Sequence, residues 1–145
     1  MIREYGDMWS IYGKTDCFIV TTNSYIRTDG ALVMGRGIAK QLVDRVPGIA
    51  WRFAEQIEHL GKYGLVISHG LIAFQVKYRY DHDAELELIT YSTSLLSIHA
   101  SFAKNKRFDM NFPGIGNGRL NYDLVLPIIE TLPDNVHVWT FGDNP

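Results

Sequence analysis

The sequence predicts an α/β fold with helices on both faces of a mixed, mostly parallel central sheet. Three observations predict it. Strand-like and helix-like stretches alternate along the 145 residues. Cys17-Phe18-Ile19-Val20 is a continuous apolar run, as expected of a strand buried on both faces. Two glycine-rich turns, Gly30 to Lys40 and Pro113 to Gly118, each follow a predicted strand and precede a predicted helix.

In order, Ile2 to Tyr5 reads as a short extended segment, followed by Gly6-Asp7-Met8-Trp9 and a turn at Gly13-Lys14-Thr15-Asp16. After the first strand and glycine turn, Ile38, Leu42, Val43 and Val46 are spaced as one helical face. Val46-Pro47-Gly48 breaks that helix. A second helix carries Phe53, Ala54, Ile57 and Leu60 on one side and ends near Gly61 or Gly64. Leu65 to Ser68 and Leu71 to Arg79 read as strands joined at His69-Gly70. In the longer strand, alternation sets Gln75, Lys77 and Arg79 on one face and Phe74, Val76 and Tyr78 on the other. Asp81 or Asp83 is expected to cap the next helix, with Glu85 and Glu87 in its first turn. Its core-facing stripe is predicted as Leu88, Tyr91, Leu95, Ile98 and Phe102, which step by threes and fours. Phe108 to Phe112 is a further strand, and a helix follows near Asp123 to Leu132, with Pro127 expected only in its first turn. Val136 to Phe141 is the last strand and 142–145 the tail. No linker or repeat interrupts the pattern, so residues 1–145 are expected to form one domain.

Composition narrows the function. Hydrophobic residues make up 46% and charged residues 21%, an ordinary globular balance. No apolar run approaches the ~20 residues of a membrane span, and no leader peptide is expected at the N-terminus. A net charge of −2 argues against gripping long nucleic acid by its backbone. A small ligand or one exposed nucleotide stays open. The single cysteine, Cys17, lies in the apolar strand and reads as a small buried hydrophobe in a reducing, cytoplasmic setting. His69, His82 and His99 lack metal-ligand spacing, so neither a metal nor another cofactor is expected.

Glycine turns at the carboxyl edge of such a sheet let backbone N–H groups face an anion. Two turns could grip a pyrophosphate from opposite sides. Neither is a Walker A loop, because no Gly-Lys-Ser/Thr follows, and the dinucleotide fingerprint Gly-x-Gly-x-x-Gly is absent after the first strand.

Gly6-Asp7-Met8, Asp16 to Asn23, Met34-Gly35-Arg36-Gly37-Ile38-Ala39, Phe112 to Gly118 and Val138-Trp139-Thr140-Phe141 together resemble a macro domain. The Met-Gly-x-Gly-Ile-Ala form is most similar to the branch holding terminal ADP-ribose protein glycohydrolase and the DarG-type antitoxin that removes ADP-ribose from DNA. The resemblance implies a three-layer α/β/α sandwich and a cleft for ADP-ribose. It implies that Asp7 and the Met8 N–H bind adenine and that Asn23 contacts the distal ribose. Gly35, Arg36, Gly37 and Ile38 would line one side of the pyrophosphate, and Gly114, Ile115, Gly116, Asn117 and Gly118 the other. Phe141 would stack on adenine, or else belong to the core. Taken alone, Asp7 is also a turn carboxylate and Asn23 a strand-end cap. Arg36 stands where the family often has a small residue, so its side chain must leave the cleft or touch the ligand.

Phe74-Gln75-Val76-Lys77-Tyr78-Arg79 resembles the strand bearing that branch's catalytic lysine, which implies Lys77. A lysine attacks only when neutral, and partial burial plus the nearby Arg79 would lower its pKa. One departure stands out. Gly118-Arg119-Leu120-Asn121 carries no acid directly after the glycines, so aspartate-assisted release is in doubt. Arg119 would suit a phosphate or carboxylate instead. The expected activity is hydrolysis of an ADP-ribosyl linkage on protein, on a DNA nucleobase or on a small derivative, by a monomer. The alternatives are a non-catalytic ADP-ribose module, an ADP-ribose 1″-phosphate phosphatase, and a domain for another nucleotide.

Overall fold

The computed structural model describes residues 1–141; the tail at 142–145 lies outside the described residues. Strand β1 (Ile2–Tyr5) leads through a 3-10 turn (Met8–Ile11) to β2 (Cys17–Thr22). Helices α1 (Gly37–Arg45) and α2 (Ile49–Leu60) follow, then the hairpin of β3 (Leu65–Ser68) and β4 (Leu71–Gln75). Helix α3 (Leu86–Phe102), β5 (Phe108–Asn111), α4 (Tyr122–Ile129) and β6 (Val136–Thr140) complete the order. The six strands form one sheet in the order β1-β6-β5-β2-β4-β3. Every pairing is parallel except β3 with β4. That pair turns at His69-Gly70, both at positive φ, as the type I′ turn of a two-residue hairpin requires.

β2 shows how the layers form. Phe18 and Val20 pack with Leu42 of α1 and Phe53 of α2. Cys17 and Ile19 pack on the other face with Ile89 and Leu96 of α3 and Val125 of α4. A strand with apolar side chains on both sides needs a helical layer on each, and gets one. Burial pushes the Cys17 thiol pKa up, so it packs as a hydrophobe.

Several elements depart from the pattern read along the chain. β4 ends at Gln75, short of the predicted Arg79, so Lys77 and Arg79 are not on a strand. Gln75 is fully buried and its carbonyl accepts from Ser92 Oγ at 2.7 Å, while Glu85 N–H takes the Val76 carbonyl at 2.9 Å. The chain there is drawn toward α3 instead of continuing as sheet. α3 is capped by neither Asp81 nor Asp83; Glu85 occupies its N-cap without a side-chain hydrogen bond. Asp81 is taken by Arg79 at 2.7 Å. The buried face of α3 is Leu88, Ile89, Ser92, Thr93, Leu96 and Ala100, while Tyr91, Ile98 and Phe102 are exposed. The helix is apolar on two sides, and spacing alone could not choose between them. Pro127 is the sixth residue of α4, beyond the first turn. It withholds a hydrogen bond from the Asp123 carbonyl, but both residues are exposed and water can take that acceptor.

Candidate functional site

The carboxyl ends of β2 and β5 are neighbours, yet their following segments leave for opposite faces of the sheet. The chain after β2 runs to α1 on one face, and the chain after β5 runs to α4 on the other. Such a divergence opens a crevice. Here it holds a cavity of about 370 Å³, within the usual range of ligand sites.

The first wall comes from the β2 end and the first glycine turn. Thr21, Thr22 and Asn23 line it, then Val33, Met34, Gly35, Arg36, Gly37, Ile38 and Ala39. Asn23 holds this segment in place: its Nδ2 donates to the Val33 carbonyl at 3.0 Å and its Oδ1 accepts from Tyr25 N–H at 2.9 Å. Arg36 sits at the N-cap of α1 without a side-chain cap bond, and the first turn has no acid. The opening N–H groups of α1 therefore have no side-chain acceptor, at the positive end of a helix.

The second wall is Asn111, Gly114, Ile115, Gly116, Asn117 and Gly118. Asn111 ties the diverging strands together, donating to Thr21 Oγ1 at 2.9 Å and accepting from Thr21 N–H at 3.1 Å. The two glycine turns meet here. A Cβ on Gly37, whose φ is +57°, would lie 3.2 Å from Asn117 Nδ2. The glycines of the second turn serve two purposes. A Cβ on Gly114 would come within 2.6 Å of Ile89 Cδ1, and one on Gly118 within 2.9 Å of Ala84 Cβ. Those two let the loop pack against the start of α3. Gly35 and Gly116 have open space around them and leave backbone facing the cavity.

The third wall is Val76, Lys77 and Tyr80. Val76 N–H donates to the Thr22 carbonyl at 2.9 Å, which fixes the next residue, Lys77, at the rim. Burial lowers the Lys77 pKa most; Arg36 and Arg119 lower it further, while Asp83 and Asp81 oppose. The neighbouring cations are thus Arg36 and Arg119 in place of the expected Arg79, which is bound to Asp81 and stacks over Tyr25 at 4.8 Å. Arg36 is exposed and lines the cavity, close enough for its charge to act on Lys77.

Of the site residues read from the sequence, all line this cavity except Asp7, Met8, Arg119 and Phe141. Asp7 caps the 3-10 turn, its Oδ1 accepting from Trp9 N–H at 2.9 Å, and Met8 is buried. Arg119 sits at φ +63° with its guanidinium 3.8 Å from Asp83. Phe141 is 88% exposed, so it is not core. Asn111 and Tyr80 were not singled out in the sequence. Asn111 had a signal, an amide at a strand end just before a glycine turn. Tyr80 had none that set it apart from Tyr78. Among the described residues no Asp or Glu lines the cavity, and no group of His, Cys, Asp and Glu could hold a metal ion. No described helix is long and apolar enough to cross a membrane.

Solved structures share this architecture. The macrodomain of Mycobacterium tuberculosis DarG matches with a TM-score of 0.74 at 20% identity, covering 99% of each chain. The macrodomain of Thermus aquaticus DarG matches with 0.74 at 19%, again over 99% of each. A Thermosipho africanus DarTG in complex with ADP-ribose matches with 0.73 at 18%, over 100% of this chain and 43% of that one. No family model matches the sequence, and no curated protein matches it. The chain has the macrodomain fold, a three-layer α/β/α sandwich.

Proposed function

We propose that this chain binds ADP-ribose in the cavity and hydrolyses an ADP-ribosyl linkage, with Lys77 as the catalytic residue, in the manner of the DarG-type branch. One observation carries the reading. Two glycine turns meet at Gly37 and Asn117 over a cavity whose remaining wall presents a lysine with a lowered pKa.

The diphosphate lies between the turns, held by N–H groups at the start of α1 and by Gly116 and Asn117. Arg36 adds a charge-assisted contact. The adenine end runs toward Asp7, whose second carboxylate oxygen accepts from the exocyclic amine, and toward the exposed ring of Phe141. Asn23 and Asn111 are at the ribose end. A structural neighbour of which this chain spans 43%, solved in complex with ADP-ribose, supports this choice of ligand.

In the reaction, the neutral Lys77 Nζ forms a bond to the anomeric carbon of the distal ribose as the acceptor's bond to that carbon breaks. The acceptor leaves with a proton. Water then cleaves the lysine adduct, releasing ADP-ribose and the free amine. Burial and the two arginines favour the neutral amine, and the described residues lining the cavity are consistent with a release without aspartate. The acceptor is a protein side chain, a DNA nucleobase or a small derivative. A nucleobase would have to be single-stranded or flipped. The buried lone Cys17 suits a cytoplasmic setting.

Calorimetry with ADP-ribose, ATP and NAD, followed by release assays on ADP-ribosylated protein and single-stranded DNA, tests this. ADP-ribose is expected to bind best and one substrate to release it. Equal or absent ADP-ribose binding would overturn the reading. Binding without any release would leave a recognition module.

A further inference from the structure

Helix α3 has a second apolar face that the fold leaves uncovered. Tyr91, Ile98 and Phe102 are 51%, 58% and 89% exposed, and Leu95 is half-buried between them. Their spacing of four, three and four is the seam spacing of paired helices. Beside the stripe runs a groove of about 470 Å³, walled on its far side by Leu60, Tyr63 and Leu65. The stripe's two ends carry opposite charge. Glu87 stands one turn before Tyr91 on the same face, and Lys104 and Lys106 follow Phe102; all three are exposed.

We infer that this face is a homodimer interface in which α3 packs antiparallel against α3 of a second copy. The stripe is complementary to its own reversal, which is what a two-fold contact demands. An axis between positions 96 and 97 sets Tyr91 opposite the partner's Phe102 and Leu95 opposite the partner's Ile98. The same axis sets Glu87 against the turn holding the partner's Lys104 and the partner's Lys106. A parallel pair would set Glu87 against its own copy and the lysines against theirs. Phe102, nearly free on the monomer, fills the partner's groove near Leu60 and Tyr63. This arrangement differs from the monomer expected from the sequence. It does not depend on what the cavity binds.

Sedimentation equilibrium over a wide concentration range tests it. A reversible dimer is expected. Phe102→Glu should weaken it about 30-fold or more, as loss of an aromatic anchor seated in a groove does. Its circular dichroism should match the parent's, since the replaced ring is exposed. Glu87→Lys should weaken the dimer by about 1.5- to 5-fold, and adding Lys104→Glu and Lys106→Glu should restore it. A parent chain monomeric at every concentration, or a dimer indifferent to Phe102→Glu, would overturn the interface. A dimer indifferent to Glu87→Lys would overturn the antiparallel register.

Discussion

Asp109 and Lys77 are both charged side chains drawn into the fold, and their surroundings are opposite. Asp109 is fully buried in β5. Arg107 grips it with Nε at 2.9 Å and Nη2 at 3.0 Å, and Trp139 Nε1 donates at 2.8 Å. Arg107 reaches on to Glu4 at 3.8 Å, and Glu4 meets His137 Nδ1 at 3.0 Å. Burial alone would raise the Asp109 pKa, but the hydrogen bonds, led by that from Arg107, outweigh it and leave the group below its usual value. This cluster is closed. At the cavity, Lys77 and Arg36 have no ion-pair partner among the described residues, and Arg119 has a distant one in Asp83. That cluster is open, with more positive than negative charge. A closed network fixes strands; an open one at a helix start leaves its charge for a ligand.

Breaking the closed cluster should have the largest effect on stability. Asp109→Ala leaves the Trp139 N–H and the half-exposed Arg107 guanidinium without their acceptor, and a loss of about 3 kcal/mol is expected in denaturant unfolding. The pH dependence has a definite sign. A carboxylate with a lowered folded pKa contributes stability that is present above its unfolded value and lost as pH falls through the folded one. The parent should therefore lose stability on acidification below about pH 4, and Asp109→Asn should lose that part of the acid limb.

The glycines of the two turns sharpen the contrast at the cavity. Gly114→Ala should cost about 1–3 kcal/mol, because its Cβ meets Ile89 and its φ is +80°. Gly35→Ala meets nothing within 4 Å and its φ is not positive, so stability should hold while ADP-ribose affinity falls. Calorimetric unfolding and ligand titration on both variants distinguish the two roles.

Arg36→Ala tests the open cluster. Removing a like charge raises the Lys77 pKa toward its ordinary value, so the alkaline rise of the release rate should move to higher pH and the neutral-pH rate should drop. An unmoved pH–rate profile would show that Arg36 does not act on Lys77. Arg79→Ala should be the mildest change. Its pair with Asp81 is exposed, so stability should scarcely change, and the pH–rate profile should stay in place.

Much of this was legible in the chain. Cys17 to Val20 announced a strand with helices on both sides, and the two glycine turns announced where it opens. The choice of face on α3 was not legible, because Tyr91-Leu95-Ile98-Phe102 and Leu88-Leu96-Ala100 are both apolar and only the tertiary packing of the sheet and α4 selects one. The charge beside Lys77 was misread for a related reason. Alternation along a strand points to Arg79, but β4 stops at Gln75, and the real neighbours come from two distant turns. Asp109 drew no notice, since a lone acid in a short strand gives no sign of the arginine and tryptophan that will enclose it.

The most direct test of the open cluster's purpose is the release of ADP-ribose by the parent and by Lys77→Ala, with ADP-ribose affinity measured on both. The expected result is nearly equal affinity and a release rate lower by at least about 100-fold in the variant. A variant that releases ADP-ribose at the parent's rate would contradict the role assigned to Lys77.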